Sequence, residues 1–146
     1  MRDHVRFQSA EFTPADVEPG QINVERYGYA LAMWVAGRLQ ERGFEVDQPV
    51  PEDWGWLLGV RNDGQIVRIG CGNVDGSVTE WLIWMEVASS GMLSRLLGRR
   101  SAGPNAAYGV AAAIHSALAT SPNADGIEWF RVGPRGEELD HAQTPI

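Results

Sequence analysis

Three strand-length apolar runs, Trp54–Arg61, Gln65–Gly72 and Glu80–Ala88, follow one another with only glycine-bearing turns between them. No other feature constrains the chain as much. Strands joined by so short a link have to pair antiparallel, because a parallel pair needs a crossover of a dozen residues or more. "RNDGQ" between the first two runs is a strong hairpin signal, since Asn and Gly tolerate positive φ. "GNVDGS" between the second and third reads as a longer, glycine-rich hairpin loop. The prediction is an antiparallel meander.

Helical patterns flank it. In "INVERYGYALAMWVAGRLQERGF", Asn23 is the expected N-cap and Glu25 sits near the positive end of the helix dipole. Tyr27, Ala30, Leu31, Trp34, Val35 and Leu39 recur at helical spacing. Gly43 is the expected left-handed stop, with Phe44 placed for the apolar contact that accompanies it. A second helix starts at Pro104, carries Ala107, Val110, Ala111, Ile114, Ala117 and Leu118 on one side, and ends before Pro122. "GIEWFRVG" is a last strand. Residues 1–21 and 134–146 read as irregular, with "VRF" able to add a short strand. Runs of strands flanked by helices predict one α+β domain over 1–146: a mainly antiparallel sheet (the three-strand meander plus a C-terminal strand) with two helices packed on one face.

At 146 residues the chain is long enough to bury a core without a metal or disulfide staple, and its single cysteine, Cys71, forms no intrachain disulfide. The net charge of −7 disfavours nucleic acid and anionic membrane as partners, and all twelve basic residues are Arg. There is no apolar run fit for a signal peptide or a membrane span. The expectation is a cytoplasmic protein with no integral membrane association.

Strand alternation sorts the stretch "PEDWGWLLGV". Trp54, Trp56, Leu58 and Val60 share one face, expected under the helices, and Gly55, Leu57, Gly59 and Arg61 share the other. Trp34 and Trp56 are expected in the core. Gly55 and Gly59 leave room for something to approach the backbone. Two readings of this stretch stand side by side. In one, Glu52 and Asp53 satisfy turn amides before a buried strand. In the other, they rim a shallow aromatic groove. Adjacent carboxylates point opposite ways and make a poor acid–base pair with each other. Glu86, on the face of Leu82 and Trp84, is a better-placed third acid. Glu52, Asp53, Trp84, Glu86 and Arg68 are therefore the candidate binding residues, with a cross-strand Arg68–Glu86 pair as the structural alternative.

"GCGNVDG" lacks the Lys-Ser/Thr ending and the following helix of a phosphate loop. Cys71 reads as a small buried hydrophobe, and His4, His115 and His141 have no metal-ligand spacing. The sequence points to no catalytic residue, cofactor or metal. "GMLSRLLGRR" mixes Met92, Leu93, Leu96 and Leu97 with Arg95, Arg99 and Arg100. It reads either as a turn that drops its leucines onto the core or as a partner-docking loop, mobile and dispensable for folding.

The segments "FQSAEF", "EDWGW" and "GMLSRLLG", with the helical and strand patterns between them, resemble an uncharacterised family of short bacterial proteins sharing an E-D-aromatic-G-W motif. The likeness runs from Phe7 to Phe130, and "EDWGW" is its most specific element. It implies a bacterial source and a role for the docking loop, and it brings no mechanism. The leading expectation is a non-catalytic protein-binding module, immunity-protein-like or an adaptor. The alternative is a small-ligand binder or hydrolase-type enzyme using the Glu/Asp/Trp groove.

Overall fold

A computed structural model of the chain describes residues 1–14, 18–88 and 105–146. The docking segment from Met92 to Arg100 and the helix-opening Pro104 lie outside the described residues. The elements in chain order are β1 (His4–Gln8), α1 (Tyr29–Glu41), β2 (Glu45–Val46), β3 (Val50–Glu52), β4 (Gly55–Asn62), β5 (Gln65–Asn73), β6 (Glu80–Val87), α2 (Asn105–Thr120), β7 (Asp125–Val132) and β8 (Glu138–Ala142). The eight strands form one antiparallel sheet in the order β2-β4-β5-β6-β1-β7-β8, with β3 beside β2 along the edge of β4. The class is α+β, as the pattern of runs predicts.

The meander forms because its turns favour it. Asn62 faces Gln65 across a two-residue hairpin in which Asp63 and Gly64 have φ of 50° and 72°. Both central residues of this hairpin turn are left-handed, which matches the twist of the strands. Asn62 stays outside the turn, and its amide donates to the Ala106 carbonyl at 2.8 Å, tying the hairpin to the start of α2.

Both helices lie on one face. Alternate strand residues point at them: Trp56, Leu58 and Val60 from β4, Val67, Ile69 and Cys71 from β5, and Trp81, Ile83 and Met85 from β6. Every apolar position expected on one side of α2 is buried. Helix α1 ends as its sequence predicts. Gly43 adopts φ 87°, its amide bonds the Gln40 carbonyl at 2.9 Å, and the Phe44 amide reaches the Leu39 carbonyl at 3.1 Å. These two bonds satisfy carbonyls that the helix end leaves open.

Three expectations are corrected. Helix α1 begins at Tyr29, not after Asn23, because Glu25 at φ 62° breaks the helical path and residues 23–27 are bonded across to Asn73. The flanks, expected to be irregular apart from a possible short strand at each, are built into the sheet. β1 lies in its middle, between β6 and β7, with Val5 and Phe7 fully buried, and β8 pairs β7. The C-terminal tail is held as well. The Arg2 guanidinium donates to the Asp140 and Thr144 carbonyls, and the Arg2 amide bonds the Pro145 carbonyl at 2.7 Å. Finally, Trp56 is 4% exposed as expected, but Trp34 is only half-buried, against Phe12 and beneath Arg38.

Candidate functional site

"PEDWGW" is a hairpin tip. Glu52 pairs with Gly55, so Asp53 and Trp54 form the turn between β3 and β4. Gly55 has φ 153°, and a Cβ there would collide with the Cys71 carbonyl, so this turn requires glycine. The turn reverses the expected direction of Trp54. It does not join Trp56 under the helices. It stands 36% exposed at the helix-free face and meets Trp84 with ring centroids 5.2 Å apart at 55°. Trp84 lies flat over Gly70, where any Cβ would overlap the indole.

The two rings, with Leu82, Gly72, Asn73, Val74, Asp75 and Arg26, line an open cleft of about 280 Å³. Its walls come from segments remote in sequence. Asn73 organises them. Its side-chain oxygen accepts the Tyr27 amide at 3.0 Å, and its side-chain nitrogen donates to the Glu25 and Ser77 carbonyls, each at 2.9 Å. Asn23 donates to the Asp53 carbonyl at 2.7 Å, fastening the same loop to the Trp54 turn. The "GCGN" segment thus holds a loop in place through Asn73.

One anchoring residue left no mark in the sequence. Glu18 is buried, and its carboxylate accepts three hydrogen bonds: from the Gly28 amide at 2.9 Å, the Tyr29 amide at 2.9 Å and the Trp56 indole N–H at 3.0 Å. It does from a distant loop what an N-cap does locally, and it satisfies the polar end of a buried Trp. A glutamate in an irregular, proline-flanked segment carries no periodic signal, so only its hydrogen bonds reveal it.

The structure does not gather the five sequence candidates into one site. Trp84 lines the cleft. Arg68 and Glu86 face each other across β5 and β6 with N–O 3.6 Å, an exposed cross-strand pair. Glu52 and Asp53 sit at the hairpin, and neither carboxylate makes a hydrogen bond among the described residues, so they do not satisfy the turn amides. Cys71 is fully buried, and burial pushes its thiol far above its ordinary range, which keeps it protonated and unreactive. The His115 Nδ1 accepts the Trp129 indole N–H at 3.2 Å and so belongs to the packing of α2 on β7. Among the described residues, no group of three His, Cys, Asp or Glu is placed to hold a metal.

The other end of the helix-free face is built differently. Phe130 lies between the His4 and His141 rings, at 5.4 and 5.5 Å, with the Arg6 guanidinium 5.2 Å from its centroid. Arg6 pairs with Glu138 at 2.8 Å and Glu128 at 3.0 Å, and it stands 3.8 Å from Glu80. Hydrogen bonding from Arg6 holds the Glu138 carboxyl below its usual range, and Glu138 in turn holds the Arg6 guanidinium above its own. Asp140 pairs with Arg2 and Arg131.

No protein-family model, curated protein or solved structure matches the chain. The site is therefore read from its own geometry. Among the described residues, no helix is long and apolar enough to cross a membrane.

Proposed function

We propose that the protein is a non-catalytic, cytoplasmic protein-binding module, of the adaptor or toxin-neutralising kind, and that it docks its partner on the helix-free face of the sheet. One observation carries this reading: Trp54 and Trp84 stand together on that face, partly exposed, while the helices cover the opposite side. Partly exposed aromatic residues surrounded by polar groups are a usual composition of a binding hot spot. The partner presents a basic surface. The chain carries −7, and the loops around the two tryptophans hold Glu25, Glu52, Asp53 and Asp75, none of which joins an ion pair among the described residues. Complementary charge of this kind speeds encounter and selects the partner.

The enzyme reading finds less support. Its carboxylates are spread over two hairpins, and the cleft itself holds one acid, Asp75, beside Arg26.

Site-specific photo-crosslinking in the native host tests the proposal. A crosslinker at Ile66, exposed on the helix-free face, should capture one discrete protein that a crosslinker at Met33, exposed on α1, does not. Equal capture from both positions, or capture from Met33 alone, would reject the docking face.

A further inference from the structure

We infer that the cleft lined by Trp54 and Trp84 receives a planar cation, the guanidinium of an arginine presented by the partner. This rests on the protein-binding reading and names the group that reading leaves open.

The chemistry of the cleft favours a cation with a flat face. Two indole rings 55° apart offer π-faces and no hydrogen-bond acceptor, and a guanidinium stacks on such rings while its edge still donates. The acceptors stand at the rim. Asp75 lines the cleft, and the Glu25 carboxylate lies 3.5 Å from where a Cβ on Gly76 would stand, next to Asp75. Asp75 and Arg26 are the charged residues among the described lining, and the Glu25 carboxylate beside the Asp75–Gly76 turn adds the negative charge that tips the site toward a cation.

Backbone conformation fixes where these two acids stand. Glu25 and Asp75 have φ of 62° and 47°, a region that L-residues enter at a cost; Asp75 lines the cleft and Glu25 precedes the lining residue Arg26. Such conformations persist where surrounding bonds enforce them. Here Asn73 enforces the first, through its bond to the Glu25 carbonyl. The second sits in the turn closed by the Ser77 amide on the Val74 carbonyl at 2.8 Å. The Glu25 loop and the Asp75 turn are thus held in place before any ligand arrives, which lowers the ordering cost of binding.

The test uses N-acetyl-arginine amide against its uncharged isostere N-acetyl-citrulline amide, followed by the indole N–H signals in nitrogen-15 NMR. Signals are assigned with Trp54→Phe and Trp84→Phe. The arginine probe should shift the Trp54 and Trp84 signals saturably, leave Trp81 and Trp129 unmoved, and bind roughly two- to fivefold more weakly to Asp75→Asn, the loss expected for one exposed charge. The citrulline probe should do nothing. Absence of any shift, an equal response to citrulline, or unchanged affinity in Asp75→Asn would each overturn the inference. A partner captured through Ile66 that free arginine amide fails to compete would also overturn it while leaving the docking face intact. Arginine-specific shifts without capture through Ile66 would uphold the cation site and reject the protein-binding reading.

Discussion

The two ends of the helix-free face carry the same kinds of side chain and arrange them oppositely. At the β1–β7–β8 end, Glu80, Glu128, Glu138 and Asp140 each meet an arginine, and Phe130 is closed between two imidazoles. Its polar groups are used up within the fold. At the β3–β4 hairpin end, Trp54 and Trp84 touch each other and leave a cleft, and the surrounding carboxylates have no ion-pair partner among the described residues. The first arrangement joins the two termini of the chain to the sheet. The second leaves charge and aromatic surface free to act on something else. Aromatic content alone therefore does not locate a binding surface; whether its polar neighbours are already satisfied does.

The comparison breaks most easily at the aromatic rings. Phe130 is 2% exposed, so Phe130→Ala should cost about 3–5 kcal/mol. Trp54→Ala, at a 36% exposed turn position, should cost less than about 1 kcal/mol. Chemical denaturation of both variants measures this, and equal losses would mean that the hairpin end is as structural as the other.

Glu18→Gln comes next. The side chain keeps its size, but an amide offers one oxygen to the three donors that the carboxylate accepts. Loss of hydrogen bonds to a buried charge predicts about 1.5–3 kcal/mol of destabilisation. Amide hydrogen exchange should also quicken around Glu25 and Tyr27, because Glu18 anchors the loop that supplies the cleft wall. A variant with normal stability and unchanged exchange would show that Asn73 and Asn23 hold that loop without Glu18.

Arg6→Gln probes the paired end. It removes a cation shared by Glu80, Glu128 and Glu138 and should cost about 1 kcal/mol, since these pairs are partly exposed and screened. The same network predicts a pH dependence with a definite sign. Glu138 has its folded pKa depressed by Arg6, so its contribution is present above the unfolded value of about 4.3 and is lost as pH falls through the folded value. A melting series below neutral pH should show that acid-side loss in the parent and a shallower one in Glu138→Gln. Identical slopes would remove Glu138 from the account.

The smallest stability effect belongs to Asp75→Asn, within about 0.5 kcal/mol of the parent, because Asp75 supports no described ion pair or side-chain hydrogen bond. A larger change would move Asp75 from the binding end of the comparison to the structural one.

The features legible in the sequence are those settled within a few residues. Asp63–Gly64 sets the β4–β5 hairpin, Gly43 ends α1, and strand alternation picks out Trp56, Leu58 and Val60 for the core. Backbone preference and side-chain periodicity act locally, so the chain states them wherever they occur. Three other features were decided by the tertiary structure. β1 could have stayed on an edge; it lies between β6 and β7, where Val5 and Phe7 are completely buried. Trp54 leaves the helix face because Gly55 packs against the Cys71 carbonyl and turns the chain over. Glu18 caps a helix from ten residues before it, at Gly28, and binds Trp56 from another strand altogether. Closing a longer loop costs little extra entropy, so sequence distance does not select the partner. What selects it is which polar groups and apolar surfaces are still unsatisfied once the local elements have packed, and that is defined only in the folded chain.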